Sequence, residues 1–269
     1  MSRGAVERVG EHPVPVGPLA VRWISYELPQ LRAGTVTTGR LVLRNEGTAT
    51  WRASVHVSNH WLDDRGNAIV WDGVRMPLAQ AVAPGEQLEA PIELEVPRPP
   101  GPYRLAFDLV EENRFWFAEV GSFALEVDVE VLPRIGDRRL AVVVHGSESR
   151  ETAAALACQD EPLVQEDAVA IAHLVAGALP SHDWSQRILD AHAEGWSAVG
   201  GSVESRDRAL RPWAPGGGRN PTFPGPLLLP SLLDGLEPSE HIGLPAYAGA
   251  DRLFDGRIRL RLPRGRRSG

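Results

Sequence analysis

From Gln87 to Val96 apolar and polar residues alternate: Leu88, Ala90, Ile92, Leu94 and Val96 fall on one side, Glu89, Glu93 and Glu95 on the other. A period of two places successive side chains on opposite faces of an extended chain, so this stretch predicts a strand half on a core and half in water. The same reading predicts strands at Leu19–Tyr26, Gly39–Asn45, Val55–Trp61, Ala68–Trp71, Tyr103–Leu109 and Phe123–Val131. On Val55–Trp61, the residues Val55, Val57, Asn59 and Trp61 share one face, and His56, Ser58 and His60 share the other. Turn signals separate the strands: Asn45-Glu46-Gly47, Asp63 to Asn67, Pro84-Gly85 and Pro100-Gly101. Tyr103, just inside a strand after a Pro-Gly turn, has the placement of a tyrosine corner. About seven short strands at this spacing predict a two-sheet antiparallel sandwich.

The pattern changes after Pro133. Leu140 to Val144 is a continuous apolar run, which predicts a strand buried on both faces. Helices are expected over 149–159, 167–179 and 183–194, the last ended by Gly195, and a strand returns at Trp196–Val203. Strand, helices, strand implies an α/β unit with a parallel pair. Trp213 to Pro221 reads as a Pro/Gly loop, and Pro226 and Pro230 break the apolar run 227–236. Arg257, Arg259 and Arg261 alternate with Ile258, Leu260 and Leu262, as on an edge strand with a charged outer face; a basic patch for phosphate or anionic lipid is the alternative. The expected fold class is therefore α+β: an immunoglobulin-like sandwich, then a small reduced α/β domain and a Pro/Gly-rich C-terminal region. The boundaries read as 1–16 flexible arm, 17–133 sandwich, 134–204 α/β domain and 205–269 extension.

Composition narrows the function classes. The 269 residues carry 43% hydrophobic and 23% charged positions, the balance of a globular protein. The net charge of −7 argues against a nucleic-acid partner. All 28 basic residues are arginine, which suits a GC-rich bacterial genome. Cys158 is the only cysteine, so no intrachain disulfide can form, and its Ala-rich surroundings read as helix core. The first residues have no apolar signal core and no run reaches the ~18 apolar residues of a spanning helix, so a cytoplasmic location is expected.

A resemblance follows from the motif string Asn45, Gly47, Trp51, His60-Trp61, Asp72-Gly73, Arg75, Pro84-Gly85-Glu86, Pro100-Gly101-Pro102-Tyr103, Asp108-Leu109-Val110 and Trp116-Phe117. It resembles the β-sandwich modules attached to bacterial glycosyltransferases and polysaccharide-export proteins, and is similar in logic to the four-tryptophan domains of autophagy receptors. The resemblance covers about a third of the chain. It implies a binding or packing unit whose ligand is often a glycan.

The candidate site follows from it. Trp61, Trp71 and Trp116 would line a shallow surface for stacking sugar rings, with Asp63, Asp64, Asp72 and Arg75 bonding hydroxyls. The competing reading makes the tryptophans core and strand-end anchors. Asp63-Asp64 lacks the carboxylates of a dedicated calcium loop, and His56 and His60 have no nameable third zinc ligand.

Three enzymatic readings stand beside it. Residues 140–146, 151–159 and 183–203 resemble pieces of family-2 glycosyltransferases, but no D-x-D is present to hold a cation on a leaving diphosphate. His145-Gly146 resembles the oxyanion turn of α/β-hydrolases, with Ser202 as nucleophile and Asp234 and His241 completing a triad, but the G-x-S-x-G elbow is absent. His182, Asp183, Asp190, His192 and Glu194 could supply a metal site, although such a helix more often carries a solvated charged stripe. The favoured expectation is a non-catalytic carbohydrate-binding or docking protein of a glycan-making system. It needs no cofactor and has a glycan or glycan-biosynthesis protein as partner, a homo-oligomer being admitted. The alternative is a glycosyltransferase-like enzyme using a nucleotide-sugar, with the hydrolase behind it.

Overall fold

The computed structural model describes residues 5–10, 13, 16–204, 231–233 and 252–261. The chain divides into two compact units, 1–132 and 133–269.

The first unit begins with β1 (Val6–Arg8), β2 (Val21–Glu27), β3 (Val36–Asn45), β4 (Val55–Leu62) and β5 (Ala68–Val70). It continues with β6 (Met76–Pro77), β7 (Gln87–Glu95), β8 (Gly101–Glu111), β9 (Phe115–Trp116) and β10 (Leu125–Val131). One sheet has the order β1-β2-β3-β7. The other has β10-β8-β4-β5, with β6 on β4 and β9 on β8. Val6–Arg8, within the stretch read as a loose arm, thus extends a sheet by pairing with β2.

The inward faces follow the alternation. Leu41, Leu43, Ile92 and Leu94 of one sheet and Val57, Trp61, Leu105, Phe107 and Leu109 of the other are fully buried in one cluster. Area removed from water by such residues is the main driving term for the unit. Trp51 joins them, its ring edge-on to Phe117 at 6.0 Å. Asn45, also fully buried, shapes the turn after β3: its amide donates to Ala49 and Val82 carbonyls and its oxygen accepts from Gly47 N. The Tyr103 hydroxyl donates back to the Pro99 carbonyl at 2.6 Å, fixing the entry into β8.

The second unit corrects the α+β expectation. Strand accounts for 47% of the described residues and helix for 11%, with two α-helices among them. Its strands are β11 (Leu140–His145), β12 (Leu163–Val164), β13 (Ala170–Val175), β14 (Leu179–Pro180), β15 (Ala198–Glu204), β16 (Ser231–Leu233) and β17 (Arg252–Arg261). They form one mixed sheet ordered β12-β11-β13-β16-β15-β17-β14. The helices are α1 (Arg150–Ala157) and α2 (Trp184–Ala193).

The helix expected over 167–179 is the correction with the clearest cause. Its Ala- and Leu-rich sequence suits a helix, but it is β13, parallel to β11 and antiparallel to β16. A short, mostly apolar run is one that periodicity alone does not separate from helix. The parallel pairs are β11 with β12, β11 with β13 and β15 with β17; β11 and β15 do not pair with each other. β17 is no edge: it lies between β15 and β14, with Ile258 and Leu260 buried and Arg257, Arg259 and Arg261 exposed. The proposed loop 213–221 lies outside the described residues. Of the run 227–236, Ser231–Leu233 form β16 at the centre of the sheet.

Candidate functional site

β4 decides the site. In its register His60 faces away from the core and Trp61 faces into it. Trp61 is 0% exposed, edge-on to Tyr103 at 6.0 Å. It therefore cannot stack a ligand, which corrects its place in the expected sugar surface. The parity that grouped it with Val55 and Val57 already pointed inward.

His60 supports what lies outside. The chain leaving β5 folds Trp71 over the imidazole, with ring centroids 4.2 Å apart and planes 24° from parallel. Trp116, at the end of β9, meets the same imidazole at 4.3 Å. The two indoles sit 6.3 Å apart at 71°, an edge-to-face arrangement suited to their quadrupoles. Trp116 is 8% exposed and Trp71 49%, so Trp71 is the face offered to solvent. His60 Nδ1 donates to the Trp71 carbonyl, locking backbone and ring together. Burial pulls the imidazole below its ordinary pKa, outweighing that bond and the nearby Asp72 charge.

Arg75 closes the rim. Its guanidinium carbon lies 5.0 Å from the centre of the Trp116 ring. Nη2 donates to Asp72 Oδ1 at 2.8 Å, Nη1 to the Gly73 carbonyl at 3.1 Å, and Nε lies 2.6 Å from Glu112 Oε1. Asp72, Arg75, Trp71 and Trp116 thus come together, and Glu112 joins them. Gly73 permits the fold of this loop: a Cβ there would stand 2.4 Å from the Asn59 carbonyl oxygen. Ser58 Oγ donates to the Gly73 carbonyl at 3.2 Å from beneath.

Asp63 and Asp64 are not part of the cluster. Asp63 organises its own turn, accepting from Arg65 N, Asn67 N and Asn67 Nδ2 at 2.7–2.9 Å. The Asn67 bonds above all hold its carboxyl below the ordinary range. Asp64 is an exposed residue of that turn.

Sequence reasoning missed two contributors. His60 entered through the motif string, its outward parity and a possible zinc pair, but not as the support of the exposed tryptophan. Asp108, opposite Ser58 on β8, is 1% exposed; its carboxylate accepts from Leu109 N at 2.7 Å and Ala118 N at 3.1 Å. Burial pushes its pKa up to about 7 against those two bonds. It ties down the 3-10 turn Phe117–Val120 that follows Trp116. A concavity of about 850 Å³ bounded by Val9, Val21, Trp23, Phe123 and Leu125 shares no lining residue with the aromatic cluster.

The enzymatic candidates of the second unit disperse. Asp183 accepts from Ser181 Oγ at 2.7 Å and Arg187 Nε at 2.5 Å, and Asp190 pairs with Arg138 at 2.9 Å. His192 turns inward, Nδ1 donating to the Trp196 carbonyl at 2.7 Å and Nε2 accepting from Ser231 Oγ at 2.9 Å. His182 contacts Asp160 instead of these residues. Among the described residues no three His, Cys, Asp or Glu side chains gather as a metal group. Asp234 and His241 lie outside the described residues. No described helix is long and apolar enough to cross a membrane.

No protein-family model and no curated protein sequence matches this chain. The solved structures similar to this chain include three at low scores. The C-terminal domain of Wzt shares 14% identity over 42% of this chain and 69% of that one, with a TM-score of 0.27. A family 123 glycoside hydrolase from Clostridium perfringens shares 11% identity over 47% of this chain and 26% of that one, at 0.22. A putative beta-galactosidase from Bacteroides fragilis shares 12% identity over 64% of this chain and 27% of that one, at 0.22. Scores of this size carry no argument, so the site is read from its own geometry.

Proposed function

We propose that this protein is a non-catalytic binding module, working beside a glycan- or glycoconjugate-making system. It presents the outer face around Trp71 to a glycan or to a protein that carries one. The observation that supports the reading is the half-exposed Trp71 ring, immobilised on His60 and edged by Trp116. A rigid indole is a large amphipathic contact surface that loses little conformational entropy on binding. Ring C–H groups of a sugar would lie on Trp71, and hydroxyls would reach the exposed carboxylates of Asp72 and Glu112. The immunoglobulin-like character of the sandwich and the domain boundaries read from sequence belong to the same proposal.

The test is a thermal-shift and tryptophan-fluorescence screen of the whole chain against an oligosaccharide panel, beside the same chain carrying Trp71→Ala. Binding raises the melting temperature by mass action. A shift and a fluorescence change that vanish in Trp71→Ala support the reading. Equal responses in both chains place binding elsewhere, and no response in either ends the proposal. A shift with nucleotide-sugars that depends on Mn²⁺ would favour the glycosyltransferase-like alternative.

A further inference from the structure

The charges around Trp71 say more than that a ligand stacks there. One guanidinium, Arg75, stands among three carboxylates. Asp72 and Glu112 contact it directly, and Glu119 accepts from the Trp116 backbone N–H at 3.3 Å, close enough for its charge to act on His60. Each of the three guanidinium nitrogens already has an acceptor within 3.1 Å, two of them carboxylates and one the Gly73 carbonyl. Its central carbon also lies over the Trp116 ring. Three of the five N–H donors of Arg75, one on each nitrogen, are thus taken by acceptors of the chain itself, and its charge is more than compensated by the surrounding carboxylates. The neighbouring His60 adds no positive charge while it is neutral. Asp72 is 67% exposed and Glu112 37%, so the rim turns acceptors toward solvent.

We infer that the Trp71 surface selects neutral, hydroxyl-rich sugars and rejects uronic-acid and other anionic glycans, with Asp72 and Glu112 as the specificity-determining residues. This rests on the glycan-binding reading above. Carboxylate acceptors suit hydroxyl donors, whereas a sugar carboxylate or sulfate would meet like charge on a half-solvated rim. One uncompensated like charge at such a distance weakens binding by about tenfold or more at low salt. The mechanism is rejection of the wrong ligand as much as attraction of the right one.

The experiment titrates the whole chain with gluco-, galacto- and manno-oligosaccharides and with oligomers of the matching uronic acids, at about 20 mM and about 500 mM salt, reading tryptophan fluorescence. The expected result is binding of at least one neutral series, with its uronate counterpart about tenfold weaker or worse at low salt. That gap should narrow at high salt as the rim charges are screened. The Asp72→Asn, Glu112→Gln double variant should shift the neutral-to-uronate ratio toward the uronate by about tenfold, with its fold checked by near-ultraviolet circular dichroism. Because the salt series uses the unaltered chain, a misfolded variant does not remove the test. Uronates binding as well as or better than neutral sugars overturn this inference and leave the glycan reading standing. A salt-independent gap also overturns it. Silence from both series overturns both.

Discussion

The Trp71 indole stacks on the His60 imidazole with 4.2 Å between centroids, while the next residue along β4, Trp61, is wholly buried on the opposite face. Two tryptophans that look equivalent in sequence therefore do different work. One belongs to the core and the other is held outside it by a histidine.

Their substitutions should separate accordingly. Trp61→Ala empties a large core position and should cost about 3–5 kcal/mol of stability. Trp71→Ala gives up the ring's contacts with His60 and Trp116 at a half-exposed position and should cost roughly 0.5–1.5 kcal/mol per ring pair. Urea unfolding of both variants measures the difference. Equal costs would mean that Trp71 is a structural anchor, and the site reading would lose its support.

Loop closure over His60 should be equally sensitive. Gly73→Ala would push a methyl group into the Asn59 carbonyl oxygen, and backbone there cannot yield as a flexible side chain does. The chain carrying Trp71 and Arg75 should shift, so ligand-induced quenching should fall about tenfold or more while the melting temperature drops only a few degrees. Retained quenching would show that the loop does not need its present path.

Stability should depend on pH through two opposed groups. The folded chain keeps a proton on Asp108 up to about 7, whereas the unfolded chain releases it near the ordinary carboxylate value of about 4. Folding therefore takes up a proton in that window, and this contribution is lost as pH rises from about 4 to about 7. His60 acts the other way: its folded pKa is lowered, so the unfolded chain binds the extra proton and stability is lost as pH falls below about 6.5. Asp108→Asn should leave the second slope without the first, so its stability should climb more steeply with pH between about 5 and 7 than that of the unaltered chain. Urea midpoints across pH 4.5–8 measure this. Identical profiles would refute the burial account of Asp108.

The second unit offers a test of its sheet. Gly201 sits where β15 and β17 approach so closely that a Cβ would stand 2.0 Å from the Ile258 carbonyl oxygen. The register between the two strands shifts between Gly201 and Ser202. Gly201→Ala should cost roughly 1–3 kcal/mol or more and increase cleavage by limited proteolysis after residue 133. An unchanged digestion pattern would argue against this pairing.

The sequence by itself determined the long strands of the first unit, though not the short β1, β6 and β9. Gln87–Val96, Tyr103–Leu109 and Val55–Trp61 alternate because each strand has one face on the core, and β7, β8 and β4 lie there. Alternation also determined which side each residue takes, so the inward direction of Trp61 and the outward one of His60 were written in parity. Tertiary structure decided what covers the outward face. Nothing local says that Trp71, eleven residues after His60, folds back over it, that Trp116 arrives from β9, or that Glu112 reaches Arg75. Those contacts come from strand pairing across the sheet, which one-dimensional periodicity does not encode. The same limit made β13 look like a helix. Its hydrogen-bonding partners, β11 and β16, come from distant parts of the chain, and only the assembled sheet supplies both.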